Sequence, residues 1–154
     1  MTTRTGARPC VVADALSVVG EKYALLVLRE VFYGIRRFDE IQRNTGAPRD
    51  VLTARLRRLV EAGVLTRVPY SERPTRYEYR LTAAGRDLRP VLMTLMAWGD
   101  KHLPTPRYLV FEHACGADFE PVITCRACGH ETDGGDLRPH YRAEGWNEDG
   151  TRAS

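Results

Sequence analysis

The sequence predicts an α+β chain, mainly helical, that ends in a small Cys/His-rich β extension. Three observations lead there. Apolar residues recur at helical spacing over most of the chain before Leu103. Two short runs rich in β-branched and aromatic residues interrupt them between Val64 and Leu81. Three of the four cysteines, Cys115, Cys125 and Cys128, then cluster near the end, while Cys10 stands alone near the start.

Each element follows in order. VVADALSVVGE (Val11–Glu21) places Val12, Ala15, Leu16 and Val19 on one helical face. YALLVLREVFYG (Tyr23–Gly34) is apolar nearly all round, as a central buried helix should be, and Gly34 suits its C-terminal cap. RRFDEIQRNTG (Arg36–Gly46) is a short amphipathic helix with Phe38 and Ile41 inward, closing on an Asn44-Thr45-Gly46 turn. Pro48 suits the first position of the next helix, where its missing N–H costs nothing. Asp50 faces the positive end of that helix's dipole, and Leu52, Leu56 and Leu59 mark its inner face before Gly63 ends it.

Two strands come next, Val64–Val68 and Arg76–Leu81, joined by a polar tip over Pro69–Thr75. In the second strand Tyr77, Tyr79 and Leu81 share one face. Thr82 can cap a last long helix, about Ala83 to His102, whose apolar positions Leu88, Val91, Leu92, Leu95, Met96 and Trp98 approach a heptad seam. Pro90 should kink that helix or mark a join between two segments. After Pro104-Thr105-Pro106 two short strands follow, each ending in a turn that bears cysteine, and from Gly134 the tail is polar and expected to fray. The expected domains are therefore 1–103 and 104–154.

Composition sets limits. With 154 residues, 43% hydrophobic and 28% charged, the chain has the make-up of a soluble domain with an appendage. It has no apolar run long enough to span a membrane, and MTTRTGARPC lacks a signal core, so a cytoplasmic protein is expected. In that compartment cysteines point to metal or thiol chemistry rather than a disulfide framework. Net charge is +3, unevenly spread. Residues 1–103 carry 18 Arg and Lys against 11 Asp and Glu; residues 104–154 carry 5 against 9. A basic body with an acidic tail suggests that the body meets a polyanion.

The helix RDVLTARLRRLVEAG makes this specific. Opposite its leucine face lie Asp50, Thr53, Ala54, Arg57, Arg58 and Glu61. Small residues at Thr53 and Ala54 permit close approach to base pairs, and arginines beside them can reach guanine edges or phosphates. Helix, helix, short helix, tight turn, arginine-rich helix and hairpin is the element order of a winged helix-turn-helix. The recognition helix, about residues 48–62, would enter a major groove, and the wing, 69–75, would follow the backbone or probe the minor groove. Candidate DNA contacts are Arg37, Arg49, Thr53, Ala54, Arg57, Arg58, Arg73 and Arg76. The bland alternative is a surface helix whose arginines pair with Asp50 and Glu61.

From Cys10 to Leu103 the chain resembles the HxlR-type (DUF24) bacterial transcription regulators. The matching pieces are Cys10, VGEKYALLVLREVFYG, RRFDEIQR, VLTARLRRLVEAGVLTR, YEYRLTAAG and RPVLMTLMAWGD. Where that family commonly has tryptophan after its glycine–lysine pair, this chain has Tyr23 after Glu21-Lys22. The resemblance implies a homodimer joined through the first and last helices of the domain and bound to an inverted-repeat operator. It also implies regulation by electrophiles, oxidants or a small ligand, often through the N-terminal cysteine, here Cys10. The apolar stripe from Leu88 to Trp98 independently suggests dimerisation. A two-fold dimer would set its recognition helices roughly 34–36 Å apart.

Cys10 has two readings: a redox sensor with a reactive thiolate, helped by Arg8 and a helix N-terminus, or a small buried hydrophobe in a dimer interface. His113, Cys115, Cys125 and Cys128 form a second constellation. Cys125-Arg126-Ala127-Cys128-Gly129 has the knuckle form in which two thiolates chelate one ion; His113-Ala114-Cys115-Gly116 is a looser half. Three thiolates and an imidazole suit a structural zinc ion, with His130 as an alternative fourth ligand. The rival is a redox-active Cys125–Cys128 pair. A thiol or metal redox protein, or a protein-interaction module using this cysteine cluster, is the alternative function. No catalytic constellation, phosphate-binding glycine loop or His-Glu-x-x-His run is present in the sequence, so an enzyme is not expected.

Overall fold

The computed structural model describes residues 8–153; the first seven residues of the expected 1–103 domain, and Ser154 of the expected tail, lie outside the described residues. The chain divides into two units, Ala13–Pro121, and Val122–Ser154 with Met1–Val12. The change of character that the sequence marks after Leu103 thus precedes the structural division after Pro121.

The elements are α1 (Val11–Val19), α2 (Lys22–Phe32), α3 (Phe38–Thr45), α4 (Arg49–Glu61), β1 (Leu65–Glu72), β2 (Thr75–Leu81), the single turn α5 (Ala83–Arg86), and α6 (Arg89–His102). Helix α2 is the hub. It buries Ala24, Val27, Leu28 and Val31, and α3 adds Ile41. Helix α4 contributes Leu52, Leu56 and Leu59, at 0%, 1% and 0% exposure. Full burial of each such side chain stabilises by about 1.5–3 kcal/mol. This is what fixes which side of α4 faces out.

A polar fastener joins α2 to α3. Glu30 is buried, yet both its oxygens are satisfied: Oε1 accepts from Arg29 Nε and Nη2 at 2.9 and 2.7 Å, and Oε2 from Asn44 Nδ2 at 2.8 Å. Gly46 then takes φ +65°, a left-handed cap that a side chain would disfavour, and its N–H returns to the Gln42 carbonyl at 2.9 Å. Asn44 and Thr45 belong to the last turn of α3 rather than to the turn beyond it. Helix α4 starts at Arg49, with Pro48 extended as its N-cap (ψ 143°), one position later than the sequence suggests.

Strands β1 and β2 pair antiparallel from Leu65↔Leu81 to Glu72↔Thr75, with a slip between Pro69 and Ser71. They run further than expected, so the tip shrinks from Pro69–Thr75 to Arg73–Pro74, whose peptide is cis. Pro69 is tolerated because β1 is an edge strand that need not donate outward there. On its other side β2 meets the segment before α3: the Tyr79 N–H donates to the Arg36 carbonyl at 2.8 Å, and Arg37 bridges Glu78. The wing is thereby tied to the helix-turn-helix.

Thr82 closes the base of the wing. Its hydroxyl donates to the Gly63 carbonyl at 2.6 Å and accepts from the Gly85 N–H at 3.1 Å, capping α5 as expected. At Gly85 a Cβ would fall 2.2 Å from the Val64 carbonyl oxygen, so only glycine fits. The expected long helix is two segments joined just before Pro90, which sits in the first turn of α6. Leu88 and Leu92 pack on the core, but Val91, Leu95 and Trp98 are about half exposed, and so are Val12 and Leu16 of α1. No helix among the described residues is long and apolar enough to cross a membrane.

Beyond α6 the backbone makes rudimentary hairpins. Glu112↔Asp118 closes one in the larger unit. In the other unit, Thr124↔Glu131 closes a second and Trp146↔Arg152 a third. The polar end is therefore ordered locally around an Asn147–Thr151 turn.

Candidate nucleic-acid interface

The outward face of α4 carries Asp50, Thr53, Ala54, Arg57, Arg58 and Glu61, all exposed, as the leucine spacing requires. The Thr53 hydroxyl donates to the Arg49 carbonyl at 2.7 Å. Its proton is committed, so Thr53 offers outward a methyl group and an acceptor oxygen, and Ala54 beside it adds no bulk. An open cleft of about 990 Å³ runs along this face, lined by Thr53, Ala54, Arg57 and Arg58 and walled on the α1 side by Ser17 and Glu21.

The arginines of α4 are not equivalent. Arg55, half-buried, pairs through Nη2 with Glu21 at 3.0 Å and serves as framework. Arg49 lies over the Phe38 ring at 4.9 Å, with Asp39 at 3.9 Å. Arg57 is bonded to Glu61, which raises its pKa by the side-chain hydrogen bond first and the carboxylate charge second. Arg58 has no carboxylate partner among the described residues. The bland reading thus holds in part: Arg57 does pair with Glu61. It does not close the face, because the pair occupies only the Nε of Arg57, and Arg58 beside it has no carboxylate partner among the described residues.

A second groove, about 640 Å³, opens between α3 and the wing and is lined by Arg37, Arg43, Arg49, Tyr70, Arg76 and Tyr77. The Arg37 guanidinium lies 4.7 Å over the Tyr70 ring. The structure thus gathers Arg37, Arg49 and Arg76 on one groove and Thr53, Ala54, Arg57 and Arg58 on the adjoining helix face. Arg73 is exposed at the wing tip. Sequence reasoning missed Arg43, Tyr70 and the Glu21–Arg55 pair. Arg43 lies on α3, whose N-cap is the predicted Arg37, and was within reach; the other two depend on contacts between distant segments and leave no local signal.

The sulfur-bearing turns come later in the chain than the helix-turn-helix and wing. In the larger unit, His113 Nδ1 lies 3.3 Å from Cys115 Sγ on a turn where the Gly116 N–H donates to the His113 carbonyl. In the other unit, the backbone N–H groups of Cys128 and Ala127, then the Cys128 thiol, donate to Cys125 and lower its thiol pKa. Among the described residues no group of three or more His, Cys, Asp or Glu side chains is placed to hold a metal ion. Cys10 is exposed and directly precedes α1. Arg8, expected to favour its thiolate, lies over the rings of Tyr141 and Trp146, at 5.2 and 5.6 Å.

Comparison with known proteins agrees with this geometry. The family model for HxlR-like helix-turn-helix proteins matches residues 18–107. An uncharacterized HTH-type transcriptional regulator of Mycobacterium tuberculosis, Rv3095, is 48% identical over 131 residues, 83% of each chain. Among solved structures, PA1607, described as a candidate transcription factor, superposes with a TM-score of 0.74 at 35% identity, covering 89% of this chain and 97% of its own. The redox regulator HypR in its oxidized form matches 62% of this chain and 100% of its own, with a TM-score of 0.55 and 30% identity.

Proposed function

The chain belongs to the HxlR-like helix-turn-helix family and is a DNA-binding transcriptional regulator, and on that premise we propose that it works as a cytoplasmic homodimer on an inverted-repeat operator. Helix α4 enters the major groove, with Thr53 and Ala54 nearest the base pairs and Arg57 and Arg58 reaching base edges or phosphates. The α3–wing groove, with Arg37, Arg49 and Arg76, takes the sugar-phosphate backbone, and Arg73 follows it or probes the minor groove. The observation that carries this is the division of α4 into a fully buried leucine face and a fully exposed face of small residues and arginines.

Selection from a randomised double-stranded DNA pool, followed by gel-shift titration at several salt concentrations, tests it. Enrichment of a palindromic site is expected, with a log–log salt slope of about −0.9 per phosphate contacted. A flat salt response would favour a protein-interaction module. Arg57→Ala should weaken operator binding by roughly ten- to a hundredfold.

The dimer reading is supported by the exposed Leu16, Val91, Leu95 and Trp98 on the first and last helices, an apolar area that a second copy would cover. Native mass spectrometry reports the subunit count. The zinc reading rests on the donor chemistry of the two turns and their spacing in sequence: His113, Cys115, Cys125 and Cys128 are the ligands proposed. Zinc there would supply folding energy rather than reactivity. The Cys10 reading rests on an exposed thiol at the start of α1. Cys10→Ser should abolish any response of DNA binding to a quinone and leave untreated binding intact.

A further inference from the structure

The exposed side of α4 carries a contact that does not contribute to the core. Arg57 Nε donates to Glu61 Oε1 at 2.7 Å, one helical turn on. Both side chains are at the surface, 78% and 51% exposed. Among the described residues, neither terminal amino group of Arg57 has a hydrogen-bond partner. The neighbouring arginines differ. Arg55 spends a terminal amino group on Glu21, Arg49 rests on an aromatic ring, and Arg58 is untethered by any carboxylate. Arg57 is therefore the one arginine of this helix held at Nε with its terminal fork left free.

The chemistry of that arrangement is specific. A guanidinium is planar, and a carboxylate on Nε restrains rotation of the plane while leaving two parallel N–H donors at the tip. Guanine presents two adjacent acceptors, N7 and O6, to the major groove, a match for such a fork. An untethered arginine at the same place would be drawn equally to the phosphates on either side, which carry no sequence information.

We propose that Glu61 is a positioning residue for DNA reading, which fixes the Arg57 fork to recognise one guanine in each operator half-site. This rests on α4 being the recognition helix. A purely electrostatic role for Glu61 predicts something else. Its negative charge would repel every duplex alike, and removing it would strengthen binding to all sequences without changing their order of preference.

The test is selection from a double-stranded DNA pool with a randomised core, using the full chain as wild type, Arg57→Ala, Glu61→Ala and Glu61→Gln. The preferences are then checked by competition gel shift at fixed salt. The wild type should show a guanine position in each half-site whose preference Arg57→Ala loses. Glu61→Ala should lose preference at that same position, by roughly tenfold or more, the discrimination ordinarily supplied by one bidentate contact. Glu61→Gln keeps a carbonyl oxygen to accept from Nε and should restore most of it, though it lacks the charge.

Three results would overturn the proposal while leaving α4 as the reader. The Glu61→Ala profile could match the wild type. Glutamine could behave like alanine. Or the lost preference could fall at a different base pair, which would make Glu61 itself a reader of cytosine. If the wild type enriches no sequence at all, the recognition-helix reading fails and this proposal fails with it.

Discussion

The two units of this chain are held together by different physics. Among the described residues every buried apolar side chain belongs to Ala13–Pro121, gathered mainly from α1, α2, α3, α4 and β1 around Leu28, Ile41, Leu52, Leu56, Leu59 and Leu65. In the other unit the only buried residue among those described is a glycine, Gly150, beneath the Tyr141 ring. Its order comes from turns instead: the Cys125–Gly129 knuckle, the Thr132 contact with Asp136, and the Asn147–Thr151 turn. Hydrogen bonds at exposed positions contribute little net stability, because water competes for them. A segment this poor in buried surface is the kind that gains most from a staple, and the zinc proposed on its thiols would act as one.

That contrast can be broken experimentally. The largest effect should come from the proposed zinc. Structural zinc contributes on the order of 10 kcal/mol in small peptides. Cys128→Ser should therefore abolish bound zinc in elemental analysis and remove hydrogen-exchange protection around residues 123–132. A purified wild type without zinc would remove the staple from the account. Next comes Leu56→Ala, which should destabilise the larger unit by about 2–5 kcal/mol in denaturant titration and leave the metal content unchanged. Glu30→Ala should cost about 1.5–3 kcal/mol, because Arg29 and Asn44 lose their shared acceptor, and it should weaken DNA binding by loosening α3. Thr82→Ala removes the α5 cap and should cost about 1 kcal/mol. The smallest effect belongs to Arg58→Ala, which should leave the thermal midpoint alone and reduce the salt slope of DNA binding by about 0.9 if Arg58 meets a phosphate.

Much of the larger unit was legible in the sequence because its signals are local. The i, i+4, i+7 leucines of α4, the apolar α2, the capping Thr82 and the break at Pro90 all act within a turn or two. The strand ends were misread because Pro69 and the polar residues after it look like a loop. Nothing local says that an edge strand tolerates them. Of the interface, the residues on α4 could be read from a helical wheel. The partners could not: Glu21 for Arg55, Tyr70 for Arg37, and Asn44 for Glu30 are juxtaposed only by tertiary packing. The tail shows donor residues through its Cys and His spacing, but its turns could not be read, since it has no hydrophobic period to follow.

The separation of duties along α4 has a practical side. Leu52, Leu56, Leu59 and Arg55 seat the rod in the body, and Asp50, Thr53, Ala54, Arg57, Arg58 and Glu61 take no part in the apolar core. Those six positions can therefore be rewritten together, as a key is recut without touching the lock barrel that turns it. A library varied there alone would sample new targets on one unchanged scaffold.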